Sequence, residues 1–301
     1  MRSRSRLERV PGPSAVAIGN FDGFHAGHRR IIEILVENAR AQGLSAVVLA
    51  FHPHPRVFFG QSIRLISTDA QRLEALKRQE LDRLFFIDFA TVADLAAAEF
   101  VRGILLDTLR LKVLVVGEDF RFGRGREGDL NALGPLAAAR GFAVVRVPGV
   151  EIDGGRVTSS RIRKLLAAGA VREAGRLLEK PYFIDGIVER GAGRGRELGF
   201  PTMNIASRNA ILPGGVFHTE VDLAGRRYVS ATFIGRAPAF TDPRQPLRVE
   251  THVPGFRGLV YGKKVRLHFI DKIREERKFA EPGELAEQIR RDIASLGYLT
   301  K

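Results

Sequence analysis

The sequence predicts a doubly wound α/β domain with a parallel sheet, followed by a small antiparallel β-barrel closed by a C-terminal helix. In residues 1–180, short apolar runs alternate with longer amphipathic stretches, the pattern of βαβ units. From Tyr182 onward the pattern changes to alternation with period two, broken by glycines and prolines, which suits antiparallel strands. A final amphipathic stretch, "GELAEQIRRDIASLG", reads as a closing helix.

The elements follow in order. "SAVAI" leads to a helix over Ile31 to Gln42, and "SAVVLAF" to one over Thr68 to Gln79. "RLFFIDF" precedes a helix from Leu95 to Leu109, "KVLVVG" one from Leu130 to Arg140, and "FAVVRV" one from Ser160 to Leu178. The strands of the second half are "YFIDGIVERG", "GGVFHTEVDLAGRRYVSATFIG", "LRVETHV" and "KKVRLHFIDKIR". Leu178-Glu-Lys-Pro181 marks the boundary, giving domains 1–180 and 181–301.

Composition narrows the function classes. With 301 residues, 45% of them hydrophobic, the chain is long enough for two ordinary cores. Cysteine is absent, so disulfides, thiolate metal sites and thiol nucleophiles are excluded. No apolar run approaches the roughly 20 residues of a membrane span, and the Arg-rich start "MRSRSRLERV" lacks the apolar core of a secretory signal. A cytoplasmic protein without a membrane partner is expected. A net charge of +14 attracts polyanions, either nucleic acid or phosphorylated small molecules.

The choice turns on "GNFDGFHAGHRR", between the first strand and the first helix. In a doubly wound sheet this junction lies at the carboxyl ends of the strands, where ligands bind. Glycines at 23 and 27 permit close backbone approach, and a helix beginning near His28 offers unpaired N–H groups to an anion. His25 and His28 would aim two N–H donors at one phosphate and, were it the α-phosphate of a nucleotide, stabilise its transition state. A plain Gly-His turn is one alternative. Another is a metal held by His25, His28, His52 and His54, although no H-E-x-x-H pattern accompanies them.

A second phosphate-binding pattern is "TSSRIRKLL". Ser159 and Ser160 cap a helix whose first turn carries Arg161 and Arg163, and these hydroxyls and guanidinium forks suit a departing pyrophosphate. An ordinary cap on a basic surface helix has the same signature.

Together, "AIGNFDGFHAGH", "FHPHPRVFF", "VVGEDFRFGRGREGD", "TSSRIRKLL", "GRGRELGFPTMNI", "VETH", "YGKKV" and "KFAEPGELAEQIRRDI" resemble, nearly end to end, the bacterial bifunctional riboflavin kinase/FMN adenylyltransferase (FAD synthetase) family. The H-x-G-H and S-S/T-x-x-R pair is similar to that of the nucleotidylyltransferases. The resemblance implies an adenylyltransferase domain followed by a riboflavin kinase barrel, with ATP as co-substrate. In the first domain it implies that His25 and His28 hold ATP phosphates, His28 stabilising the α-phosphoryl transition state, with Gly19, Asn20 and Gly27 in the same loop. Ser159, Ser160 and Arg163 would hold the β- and γ-phosphates. Asp22, Asp119, Phe120 and Phe122 would serve the flavin side.

In the second half, "GAGRGRELGFPTMN" joins a Gly-rich turn, with Gly193 and Gly195, to Thr202 and Asn204. Such a turn can wrap phosphates while Thr202 and Asn204 offer oxygens to Mg²⁺, and a Gly/Arg loop is equally at home on nucleic acid. The resemblance favours ATP with Mg²⁺ and implies that Glu250 in "RVETH" is the general base for the ribityl 5′-hydroxyl. The chain departs from the family where "IGRAPAF" places Ala237 and Ala239 at polar positions and where Gly255 in "VPGF" replaces an acidic residue. An adenylyltransferase with a weakened or regulatory kinase half is therefore the alternative. Nucleic acid is the less expected partner, since no reading motif accompanies the basic charge.

Overall fold

The computed structural model describes residues 7–191, 193–236 and 247–297. Ala237 and Ala239 lie outside the described residues. The chain divides into two compact units, residues 1–159 and 160–301. The strand pattern changes later, at Tyr182, and two helices lie between the two points.

The first unit contains a five-stranded parallel sheet, ordered β3-β2-β1-β4-β5. These strands are β1 (Ser14–Gly19), β2 (Ser45–His52), β3 (Arg83–Asp88), β4 (Leu111–Gly117) and β5 (Ala143–Val147). The helices are α1 (Ala26–Ala41), α2 (Pro55–Phe58), α3 (Asp69–Lys77), α4 (Ala97–Glu99) and α5 (Leu130–Arg140). A hairpin of β6 (Glu151–Ile152) and β7 (Gly155–Arg156) follows.

The apolar runs are strands because both sheet faces are covered. Alternate residues of β1 serve two cores: Val16 and Ile18 pack with Leu105 and Leu133, while Ala15 and Ala17 pack with Leu35 and Leu76. Two expected helices come out differently. The Leu95 to Leu109 stretch is α4 running directly into π-helical turns over Phe100–Thr108. The first helix begins at Ala26 rather than near His28, so His28 sits within its first turn.

In the second unit α6 (Ser159–Ala167), whose first residue belongs to the first unit, and α7 (Val171–Leu178) replace the single helix expected over Ser160 to Leu178. The chain breaks at Gly169, whose φ of +73° a helix cannot accommodate. A closed antiparallel barrel follows, ordered β10-β11-β12-β9-β8-β13. Its strands are β8 (Tyr182–Glu189), β9 (Thr202–Ser207), β10 (Gly215–Leu223), β11 (Arg226–Gly235), β12 (Arg248–His252) and β13 (Lys264–Arg274). Helix α8 (Arg194–Glu197) lies in the Gly-rich loop, and α9 (Pro282–Ala294) is the closing helix.

Period-two patterning puts Phe217, Val221, Leu267 and Phe269 inside the barrel, with a chain of buried hydroxyls. Thr219 Oγ1 lies 2.7 Å from Thr232 Oγ1, which lies 2.9 Å from Thr251 Oγ1, so these polar groups satisfy one another across three strands.

Candidate functional site

The parallel order brings the carboxyl ends of β1, β2 and β3 side by side, Gly19 pairing with Ala50 and His52 with Asp88. From β1 the chain turns through Asn20–Phe24 into α1, whose N-cap is His25. Phe21 and Phe24 adopt φ of 50° and 45°, a conformation costly for non-glycine residues, and both rings are buried. The His25 side chain makes no cap hydrogen bond to α1, and the first turn of the helix holds no acidic residue. A positive helix end is thus left for an anion.

The His25 and His28 rings stack, their centroids 3.7 Å apart, and Phe21 meets His28 edge-on at 5.3 Å. Ser159 Oγ lies 3.3 Å from His25 Nε2 and donates to the Asp22 carbonyl at 3.4 Å. The structure therefore gathers His25, Gly27, His28 and Ser159, although Ser159 is 134 residues from His25 in sequence. Ser160 and Arg163 continue along α6 in the second unit.

Burial holds the His28 imidazole well below its ordinary pKa of 6.5, and repulsion from His25 adds to this. Its Nδ1 is enclosed without a hydrogen-bond partner among the described residues. The folded protein prefers this imidazole neutral, whereas the unfolded chain takes up a proton near 6.5. The corresponding stability is present above that pH and is lost as pH falls below it toward the depressed folded-state value. Thermal melts should show that His28→Asn loses less midpoint temperature than the parent between pH 7.5 and pH 5.5. An equal loss would mean that His28 does not titrate this way.

The loop is held from within. Asp22, 1% exposed, accepts hydrogen bonds from the backbone N–H groups of Ile66 and Ser67, both at 3.0 Å, and from the Ser67 hydroxyl at 3.2 Å. Arg72 on α3 is also 1% exposed and donates to the carbonyls of Asn20 at 2.8 Å and Phe51 at 3.1 Å. It pairs with Asp69, and its guanidinium lies 4.9 Å from the Phe86 ring centroid. In the sequence Arg72 reads as one more polar residue on an amphipathic helix. Only its burial reveals its tie to the loop.

The remaining flavin candidates lie after β4. The Asp119 side chain is 81% exposed, Phe120 stacks on Phe122 at 5.5 Å, and Phe122 belongs to the core. Sequence reasoning did not single out an aromatic group beside β2 and β3: the exposed Phe58 and Phe59, each edge-on to Phe89 at 5.2 and 5.8 Å. Its signal was the "VFF" of "FHPHPRVFF". Of the histidines there, His54 accepts from Arg56 N–H and His52 pairs with Asp69.

In the barrel, β9 and β12 pair so that Asn204 faces Glu250 and Thr202 faces His252. Met203 and Thr251 point inward, leaving Thr202, Asn204, Glu250 and His252 half-buried on the outer face. The Gly-rich loop lies against this face. A Cβ at Gly191 would stand 2.0 Å from Asn204 Nδ2, and one at Gly195 2.4 Å from the Phe200 carbonyl and 3.1 Å from Thr202 Oγ1. Only glycine permits this approach. Gly193 takes up a φ of +78° and is exposed. Gly255 has φ +72° in open space after β12, a turn conformation that favours glycine over the acidic residue of the family pattern.

Among the described residues no group of three or more His, Cys, Asp or Glu could hold a metal ion, and no helix is long and apolar enough to cross a membrane.

Comparison with known proteins agrees with this two-part arrangement. Residues 7–161 match the FAD synthetase family and residues 178–298 the riboflavin kinase family. The bifunctional riboflavin kinase/FMN adenylyltransferase of Pseudomonas fluorescens is 36% identical over 92% of this chain and 90% of its own. That of Escherichia coli K12 is 34% identical over 97% and 95%, and that of Bacillus subtilis 32% over 95% and 92%. A solved structure from Streptococcus pneumoniae, described as a macrolide-efflux protein, superposes with TM-score 0.87 at 29% identity, covering 97% of this chain and 96% of that one. With both domain families matched in order and relatives aligned over nearly their whole length, the chain belongs to the bifunctional riboflavin kinase/FMN adenylyltransferase family.

Proposed function

We propose that residues 1–180, which carry both phosphate motifs, act as the adenylyltransferase and residues 181–301 as the kinase. The protein phosphorylates riboflavin to FMN with ATP, then adenylylates FMN to FAD with release of pyrophosphate. The observation that carries the first half is the stacked His25–His28 pair at the N-terminus of α1, with the Ser159 hydroxyl 3.3 Å from His25.

In adenylyl transfer an FMN phosphate oxygen attacks the α-phosphorus of ATP, and the bond to the β-phosphate oxygen breaks. His25, His28 and the α1 N–H groups supply donors to the added negative charge, with His28 acting on the α-phosphoryl group. Gly19, Asn20 and Gly27 shape the loop, while Ser159, Ser160 and Arg163 receive the departing pyrophosphate. Asp119 and Phe120 serve the flavin, with Phe122 acting from the core by backing the Phe120 ring, and they are joined by the exposed Phe58 and Phe59, whose rings suit stacking on an isoalloxazine. Asp22 contributes by fixing the loop through Ile66 and Ser67.

In the kinase half, Glu250 takes the proton of the ribityl 5′-hydroxyl as that oxygen attacks the γ-phosphorus and ADP leaves. The loop with Gly193 and Gly195 covers the phosphates. Thr202 and Asn204 present hard oxygen donors beside that loop, a set suited to Mg²⁺, which takes few protein ligands and substrate phosphates for the rest. When bound, Mg²⁺ neutralises phosphate charge.

Incubation of the protein with riboflavin, ATP and Mg²⁺, followed by chromatography, should yield FMN and then FAD. Absence of both products would overturn the assignment, and accumulation of FAD only from added FMN would favour a weakened kinase.

A further inference from the structure

We infer that His252 is a positioning residue of the kinase: its imidazole clamps the return limb of the Gly-rich phosphate loop to the strand that carries Glu250. The inference rests on the kinase assignment above and concerns a residue with no role in it so far.

The β9–β12 ladder ends at the Thr202–His252 pair. Beyond it stands Pro201, which has no N–H to continue the ladder. The His252 side chain takes over, its Nδ1 lying 2.9 Å from the Pro201 carbonyl. A carbonyl only accepts, so Nδ1 carries the proton and donates. The Phe200 ring meets the imidazole edge-on at 5.8 Å, so two consecutive residues are fixed by one side chain.

Those two residues close the loop. Arg196 N–H donates to the Gly193 carbonyl at 2.9 Å, Gly199 N–H to the Arg196 carbonyl at 3.1 Å, and Phe200 N–H to the Gly195 carbonyl at 2.7 Å. Gly193 to Phe200 is therefore one hydrogen-bonded turn whose outgoing limb is Phe200–Pro201. Gly195 in turn packs on the Phe200 carbonyl and Thr202 Oγ1. His252 is two residues from Glu250 on the same outer face, so one strand supplies both the proposed base and the anchor of the loop that would cover the phosphates. Releasing the anchor should loosen the grip on ATP while leaving the base in place.

The test compares His252→Ala with His252→Asn, whose amide N–H₂ can take the place of Nδ1–H. Loss of one hydrogen bond and its ring contact should raise the KM for ATP roughly three- to tenfold in the alanine variant. The kcat and the KM for riboflavin should stay within about twofold of the parent, and the asparagine variant should recover most of the ATP affinity. Adenylylation of added FMN and the thermal melt report intact folding. If the alanine variant does not fold, His252→Gln, which keeps a polar group but moves the donor outward, replaces it.

A readout independent of turnover is trypsin cleavage after the exposed Arg196, which should accelerate in the alanine variant and return to the parent rate in the asparagine variant. An unchanged ATP KM and cleavage rate in the alanine variant would overturn the clamp, as would failure of asparagine to recover either. A parent protein with no kinase turnover would instead sink the kinase assignment, leaving the proteolysis result to decide the clamp.

Discussion

His28→Ala lowers FAD formation from FMN on the order of 10²–10³-fold while FMN formation from riboflavin continues at the parent rate. The imidazole stands in the first turn of α1, stacked on His25 and walled by Phe21, so its position is fixed before any nucleotide arrives. A donor already in place costs no reorganisation in the transition state, and removing one such donor typically lowers the rate on the order of 10²–10³-fold. The kinase should be unaffected because Glu250, Thr202 and Asn204 all belong to the other folded unit. The check is to assay each half-reaction separately, with FMN plus ATP and with riboflavin plus ATP. Equal loss of both rates in a variant with the parent melting temperature would refute the separate-site reading.

Glu250→Gln gives the opposite result: riboflavin phosphorylation falls while adenylylation of added FMN is unchanged. The substitution keeps the size and the β12 pairing with Asn204 and Phe233 but removes the ability to accept a proton. General-base catalysis contributes typically 10²–10⁴-fold, so a loss on the order of 10²-fold or more is expected in kcat. Glu250 is half-buried on the outer face rather than in the core, so the variant should fold normally. Parent-level phosphorylation would show that the proton leaves by another route.

Much of this was written in the chain. A run such as "SAVAI", apolar at every position after Ser14 and too short for a helix, suits a strand covered on both faces, and the two cores meeting at β1 fulfil that expectation. The alternation in "VFHTEVDL" determined in the same way which residues would line the barrel. The order of the short motifs determined the family, since each is weak alone.

Contacts between distant residues were decided by tertiary structure. Local periodicity states which side of an element is apolar but not what lies across from it. Nothing in "TSSRIR" says that Ser159 will stand beside His25, and nothing in "AQRLEAL" says that Arg72 will be buried beneath the Asn20 carbonyl. Asp22 was legible as a loop carboxylate, and only the fold shows its oxygens engaged with Ile66 and Ser67. In the barrel, the sequence offered a Gly-rich loop, a Thr-x-Asn and a Glu-Thr-His as separate patterns, and antiparallel register joined them by setting Asn204 against Glu250 and Thr202 against His252. Register is a property of two strands at once, fixed when their apolar faces are buried together, and so neither strand carries it alone.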